Sequence, residues 1–166
     1  MEELLYLGNT TGTHGLKGEL KLHSDFERVN DVLKIDNILI IDNKEYKIRR
    51  CKYYKNNYLV VFYNYEDINK VEELRDRDVY FKRSLLNLKD NEYLYQDLIG
   101  FSIYEDEKYL GKVINIKYNN SVLLEVSFDK KYYLIFNDYY IKEVLLKEKK
   151  IITKNIEGLI VWELIF

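Results

Sequence analysis

The chain has 166 residues, 47% of them hydrophobic; this suits one large domain or two small ones of roughly 70–100 residues and excludes a globally disordered chain. The formal net charge is −2, with 15 basic and 15 acidic residues over positions 1–88 and 11 and 13 over positions 89–166, so a general electrostatic attraction to nucleic acid is excluded and any such contact must come from a local patch. A lone cysteine, Cys51, excludes an intrachain disulfide, the opening Met1-Glu2-Glu3 carries no secretory pattern, and no apolar run approaches the ~20 residues that span a bilayer, so a cytoplasmic protein without membrane contact is expected.

With no proline among 17 tyrosines, turns fall to Asn, Asp, Lys and Gly. An apolar run at residues 4–9 reads as a strand. It leads into Thr13-His14-Gly15-Leu16-Lys17-Gly18-Glu19-Leu20-Lys21, where two glycines flank a lysine and alternation starts at Glu19, with Leu20 and Leu22 inward. Glycine there suits a turn that holds His14 and Lys17 at the mouth of a β structure. Residues 37–42 and 45–54 flank a turn at Asn43-Lys44, and residues 58–63 follow a turn at Asn56-Asn57, which gives two adjacent hairpins. Behind a candidate N-cap, Asp67, the residues Ile68, Val71 and Leu74 recur every third position; this predicts a short helix over residues 67–75 whose apolar stripe lids a barrel. A strand at residues 79–81 closes a first domain, 1–88.

Residues 87–92 are polar and read as a linker. In a second domain, 89–166, strands are predicted at 98–104, 109–118, 122–128, 132–136, 144–147 and 151–154, with turns at 105–108, Asn119-Asn120 and 129–131. Short strands at this spacing make a small barrel. Gly100 and Gly111 are expected inside strands, at a bulge or a close backbone approach. No repeat relates the halves, so the chain reads as all-β, built of two unlike barrels.

Two motifs standing in register carry a resemblance. His14-Gly15-Leu16-Lys17-Gly18-Glu19, and Glu92-Tyr93-Leu94-Tyr95-Gln96-Asp97-Leu98-Ile99-Gly100 with Leu110-Gly111-Lys112-Val113, resemble the bacterial RimM family of ribosome maturation factors, the 16S rRNA processing proteins. Ser24-Asp25-Phe26-Glu27-Arg28, Glu72-Glu73-Leu74-Arg75, Leu134-Ile135, Lys149-Lys150-Ile151 and Glu157-Gly158-Leu159-Ile160 follow in the family's order. The resemblance implies an N-terminal translation-factor-like six-stranded barrel with one short helix and a C-terminal PRC-type barrel. It also implies a non-enzymatic assembly chaperone, without cofactor, for the head of the small ribosomal subunit and for 16S rRNA processing. Its implied partners are the small ribosomal subunit, ribosomal protein S19 of the head and 16S rRNA, and a monomer is expected. Three positions depart from the family pattern: Leu94 stands for its second tyrosine, Ile135-Phe136-Asn137 lacks its proline, and Asp76 replaces the glycine that ends its short helix. Tyr95, two positions beyond Tyr93, keeps an aromatic on the same face of a strand.

The candidate protein- or ribosome-binding residues are Tyr93, Tyr95, Asp97 and Leu98, with Tyr139 and Tyr140 as further members of an aromatic patch. Asp97 has the alternative of capping a turn. Residues 44–55 form the one dense basic run, in which Lys47, Arg49, Arg50 and Lys52 are interleaved with tyrosines; phosphate contact and stacking are weighed evenly against a solvated edge hairpin guarded by lysines. Simple alternation puts Lys47, Arg49 and Cys51 on one face and Ile48, Arg50 and Lys52 on the other. Lys17 and its glycine loop could also meet an RNA phosphate. His14, Gly15, Gly18, Glu19, Gly100 and Gly111 form the structural motif set. A general base at His14 finds only Glu19 and His23 nearby, two histidines and one cysteine do not make a metal set, and no phosphate-loop pattern is present. The rival readings are an RNA-modifying or hydrolytic enzyme using His14, Glu19 and Asp97, or a PRC-barrel adaptor unrelated to the ribosome.

Overall fold

Alternating apolar residues at Leu5/Leu7, Leu20/Leu22 and Val79/Phe81 can be buried together only if their strands curl round one interior. The computed structural model describes residues 1–156 and 159 and divides into two units, Met1–Lys89 and Asp90–Phe166. In the first, β1 (Leu4–His14), β2 (Glu19–His23), β3 (Ile38–Ile41), β4 (Lys44–Tyr54), β5 (Asn57–Phe62) and β6 (Asp78–Lys82) close into a barrel in the order β1-β2-β5-β4-β3-β6. β1 seals it by pairing antiparallel with both β2 and β6. Ile48, Val60 and Phe62 complete the interior.

Both expected hairpins form, each with its turn one residue earlier than predicted. The turn residues are Asp42-Asn43 (φ 50° and 62°) and Lys55-Asn56 (φ 47° and 62°). Two successive positive φ values match the right-handed twist of the flanking strands, and Asn and Asp tolerate them at low cost.

The predicted helix is shorter than expected. One α turn, α2 (Ile68–Val71), runs into a 3₁₀ turn at Glu72–Leu74. Asp67 caps it, its Oδ1 accepting from the Asn69 N–H at 2.7 Å. Val71 and Leu74 are buried, and the Thr10 hydroxyl of β1 donates to the Leu74 carbonyl at 2.6 Å. A further helical turn, α1 (Val29–Val32), was not anticipated; it buries Val32, whose carbonyl accepts from Asn37 Nδ2 at 2.9 Å.

In the second unit, β7 (Ser102–Glu105), β8 (Lys108–Asn119), β9 (Ser121–Ser127), β10 (Lys131–Ile135), β11 (Ile141–Leu145) and β12 (Lys150–Thr153) form a six-stranded sheet in the order β10-β9-β8-β7-β12-β11. β12 lies parallel to β7, and the other neighbours are antiparallel. Leu98, Phe101, Ile103, Leu124, Val126 and Ile151 are among its core residues. Tyr132 is buried with them, its hydroxyl donating to the Leu110 carbonyl at 2.7 Å. The chain is thus all-β, as expected from its pattern.

The expected strand at 98–104 is corrected in its first half. Tyr95–Leu98 is a 3₁₀ turn, the strand begins at Ser102, and Gly100 lies between them rather than inside a strand. Gly111 does lie inside β8, where a Cβ would come within 2.5 Å of the Ser127 carbonyl oxygen, and the β7–β8 ladder shifts register between Ile103 and Tyr104. Of the C-terminal motif, residues 157, 158 and 160 lie outside the described residues. Among the described residues no helix is long and apolar enough to cross a membrane.

Candidate functional site

β1 and β2 are joined by a tight turn at residues 15–18, with His14 and Glu19 as the last ladder pair before it. Gly18 is buried at φ 75° beside the backbone of Tyr65, Glu66 and Asp67, so the turn docks on the segment that leads into α2. This places Lys17 in solvent. His14 Nε2 lies 4.0 Å from Glu19 Oε2, and its ring packs on that of Tyr54, with centroids 5.0 Å apart.

The basic run lies on β4, and its faces differ from simple alternation. The β4–β5 ladder shifts between Ile48↔Phe62 and Arg50↔Val61, so Arg49 is an extra residue in a bulge. Beyond it, Cys51 opposite Val60 turns to the side of Ile48, while Arg50 and Lys52 lie outward. The expected grouping of Cys51 with Lys47 and Arg49, and of Ile48 with Arg50 and Lys52, is therefore corrected.

The ion pairs sort these cations into two sets. Lys47 faces Asp36 at 3.8 Å and Arg49 faces Glu66 at 2.8 Å, one acid each. The Arg49 guanidinium holds the Glu66 carboxyl below the usual carboxylate range. Arg50 Nη2 and Lys52 Nζ instead share a single oxygen, Glu19 Oε1, each at 3.8 Å. Lys21, in register with Leu59 opposite Lys52, and Lys55, over the Tyr54 ring at 5.2 Å, extend this outer face. The structure thus unites the glycine turn and the basic run around Glu19. Tyr54 and Lys55 end the basic run read from sequence; Lys21 was not among its candidates and joins through cross-strand register, which a linear reading does not supply.

Burial pushes the Cys51 thiol up to about 11. Its thiolate is scarce at neutral pH, so it is a poor nucleophile. Alkylation by iodoacetamide at pH 8 should run about 100-fold slower in native protein than in urea-unfolded protein, because the thiolate is the reacting form. Equal rates in the two states would refute the burial.

In the second unit the four sequence candidates separate by depth. Leu98 is fully buried, so it acts from within the core rather than on a partner. Tyr93 packs partly buried against that core. Tyr95 is half-buried, its ring 5.5 Å from Phe136 and 6.4 Å from Tyr118. The Asp97 carboxylate accepts from the Leu94 N–H at 2.9 Å, while the Asp97 N–H donates back to the Leu94 carbonyl at 2.9 Å. This reciprocal pair fixes the turn that presents Tyr95. Asp97→Ala should lower the stability of the second unit by about 1 kcal/mol, and Asp97→Asn, which keeps an acceptor, by less. A urea midpoint indifferent to both would show the cap to be idle. Tyr139 and Tyr140 contact one another with centroids 4.8 Å apart. Among the described residues no group of three or more His, Cys, Asp or Glu is placed to hold a metal.

Residues 5–86 match the family model described as the RimM N-terminal domain. The ribosome maturation factor RimM of Staphylococcus aureus is 30% identical over 162 residues, covering 93% of this chain and 97% of that protein. Among solved structures, a 16S ribosomal RNA processing protein RimM from Pseudomonas aeruginosa is similar at a TM-score of 0.46 and 13% identity, over 92% of this chain and 97% of that one. The N-terminal domain of RimM from Thermus thermophilus is similar at a TM-score of 0.44 and 19% identity, over 51% of this chain and 94% of that one.

Proposed function

The chain belongs to the RimM family of ribosome maturation factors, and from this we propose that it is a non-enzymatic factor for assembly of the small ribosomal subunit and processing of 16S rRNA, acting in the cytoplasm as a monomer. The observation that carries the reading is that one alignment of 162 residues runs through both units, so the relative and this chain share more than a common barrel. In this reading the second unit binds ribosomal protein S19 of the subunit head through Tyr93 and Tyr95, with Asp97 capping the turn that carries Tyr95 and Leu98 anchoring that turn in the core. The first unit meets 16S rRNA. Two grips on one immature head disfavour its misfolded arrangements, and the factor leaves when mature contacts displace it.

Sucrose-gradient sedimentation of a lysate tests this. The protein should travel with small-subunit particles that hold unprocessed 16S rRNA, and cells lacking it should accumulate that precursor. Migration only with non-ribosomal partners, with normal 16S processing in its absence, would overturn the reading.

A further inference from the structure

Within a chain of net charge −2, the outer face of β2 and β4, on either side of β5, together with the 15–18 turn and the β4–β5 tip, concentrates Lys17, Lys21, Arg50, Lys52 and Lys55. Lys17, Lys21 and Lys55 have no acidic partner among the described residues, and Arg50 and Lys52 divide one carboxylate oxygen between them. The nearby acids Glu66 and Asp67 are committed elsewhere, Glu66 to Arg49 and Asp67 to the cap of α2. Glu19 is the remaining anion, its side chain only 16% exposed, while Arg50 and Lys52 are 55% and 58% exposed above it. Two cations converging on one oxygen from a sheet surface is an arrangement a phosphate also satisfies. At the hairpin tip, Tyr53, which projects from β4 on the side opposite Arg50 and Lys52, is 64% exposed and held edge-on by Tyr58, while Tyr54 lies on their side. Tyr54 is held by His14. Such rings can stack on bases, which is possible only where the bases are unpaired.

We propose that this face binds the backbone of single-stranded RNA, and that Glu19 is a built-in stand-in for one phosphate: it holds Arg50 and Lys52 in position when RNA is absent and competes with RNA when it arrives. The choice of RNA as the polyanion rests on the assembly-factor reading; the geometry of the face does not. At 3.8 Å both cations lie beyond hydrogen-bond distance of Glu19 Oε1 and are more than half exposed, so each pair is weak and turning Arg50 and Lys52 to a phosphate costs little. Glu19 thereby caps affinity for arbitrary RNA, which suits a protein that must let go.

The test is fluorescence anisotropy of full-length protein with a fluorescein-labelled twelve-nucleotide oligouridine across a range of salt. Arg50→Gln combined with Lys52→Gln should lower the slope of log K against log salt by about 1.4, two single-strand contacts at about 0.7 each, and weaken binding roughly 25-fold at about 0.1 M salt. Glu19→Gln should do the opposite, tightening binding about fivefold, the worth of one such contact, at the same salt. Loss of folding cannot tighten binding, so the pair of variants stays decisive even if the double variant is damaged. Unchanged affinity and slope in both, or equal affinity for polyglutamate of the same length, would overturn the proposal. Wild-type protein that ignores RNA yet sediments with small-subunit particles would sink this face alone. Salt-dependent RNA binding without such sedimentation would sink the assembly reading and leave the face standing.

Discussion

Gly18→Ala is expected to destabilise the first unit by about 3 kcal/mol, while Gly15→Ala, three residues away in the same turn, costs only about 1 kcal/mol. Both glycines have positive φ, 65° at Gly15 and 75° at Gly18, a conformation that alanine adopts only at a cost. They differ in what surrounds them. A Cβ on Gly15 meets nothing within 4 Å. A Cβ on Gly18 would fall on the Tyr65 carbonyl oxygen and lie 2.8 Å from the Asp67 nitrogen, and neither backbone atom can rotate away. Relief requires moving the segment that caps α2, which loosens the packing of Val71 and Leu74. Urea midpoints of the two variants check this; equal losses would show that the docking of the turn is not what the second glycine serves.

Leu98→Ala should cost about 3 kcal/mol and unfold much of the second unit at physiological temperature. The side chain has no exposed surface and packs with Phe101, Ile103 and Leu124. A unit of this size has little stability in reserve. Binding to small-subunit particles should fall in step with the thermal transition, and Leu98→Met, which conserves volume, should restore both. Tyr95→Ala should instead weaken particle binding while the transition moves little, because Tyr95 is only half-buried. If Leu98→Ala kept a wild-type melting curve and still lost particle binding, Leu98 would be a contact residue and its buried placement wrong.

The sequence was most legible where a residue type is tied to one local geometry. The hairpins were readable because Asn and Asp accept the positive φ of a two-residue turn, and the one-residue offset arose because either neighbour of Asn43 or Asn56 can supply the second such position. The N-cap at Asp67 was readable because a carboxylate before an apolar triplet has few other uses. What escaped depended on partners distant along the chain. The bulge at Arg49 has no marker of its own; it exists because Ile48 and Cys51 both find the interior opposite Phe62 and Val60. Leu98-Ile99 reads as the start of a strand, yet the hydrogen bond from the Leu94 N–H to Asp97 bends the chain into a turn first. At the candidate site, the cations were visible as a run along the chain. Their division into Lys47 and Arg49 with an acid each, and Arg50 and Lys52 on a shared one, was set by β2, which carries Glu19 to them, and by the connecting segments that carry Asp36 and Glu66.

The pair β1–β6, which closes the first barrel, and the pair β7–β12, which joins β11 and β12 to the rest of the second sheet, also set a timetable for the nascent chain. β1 has emerged long before β6, about 65 residues later, and at 5–20 residues per second it waits roughly 3–13 s for that partner. During that interval Leu5 and Leu7 line an incomplete wall with an open backbone edge, the state most prone to mispairing. The second unit repeats the wait between β7 and β12, over about 45 residues, or roughly 2–9 s. A message stalled before β6 therefore leaves the first sheet unclosed, and one stalled before β12 leaves β11 without the strand that joins it to the second sheet.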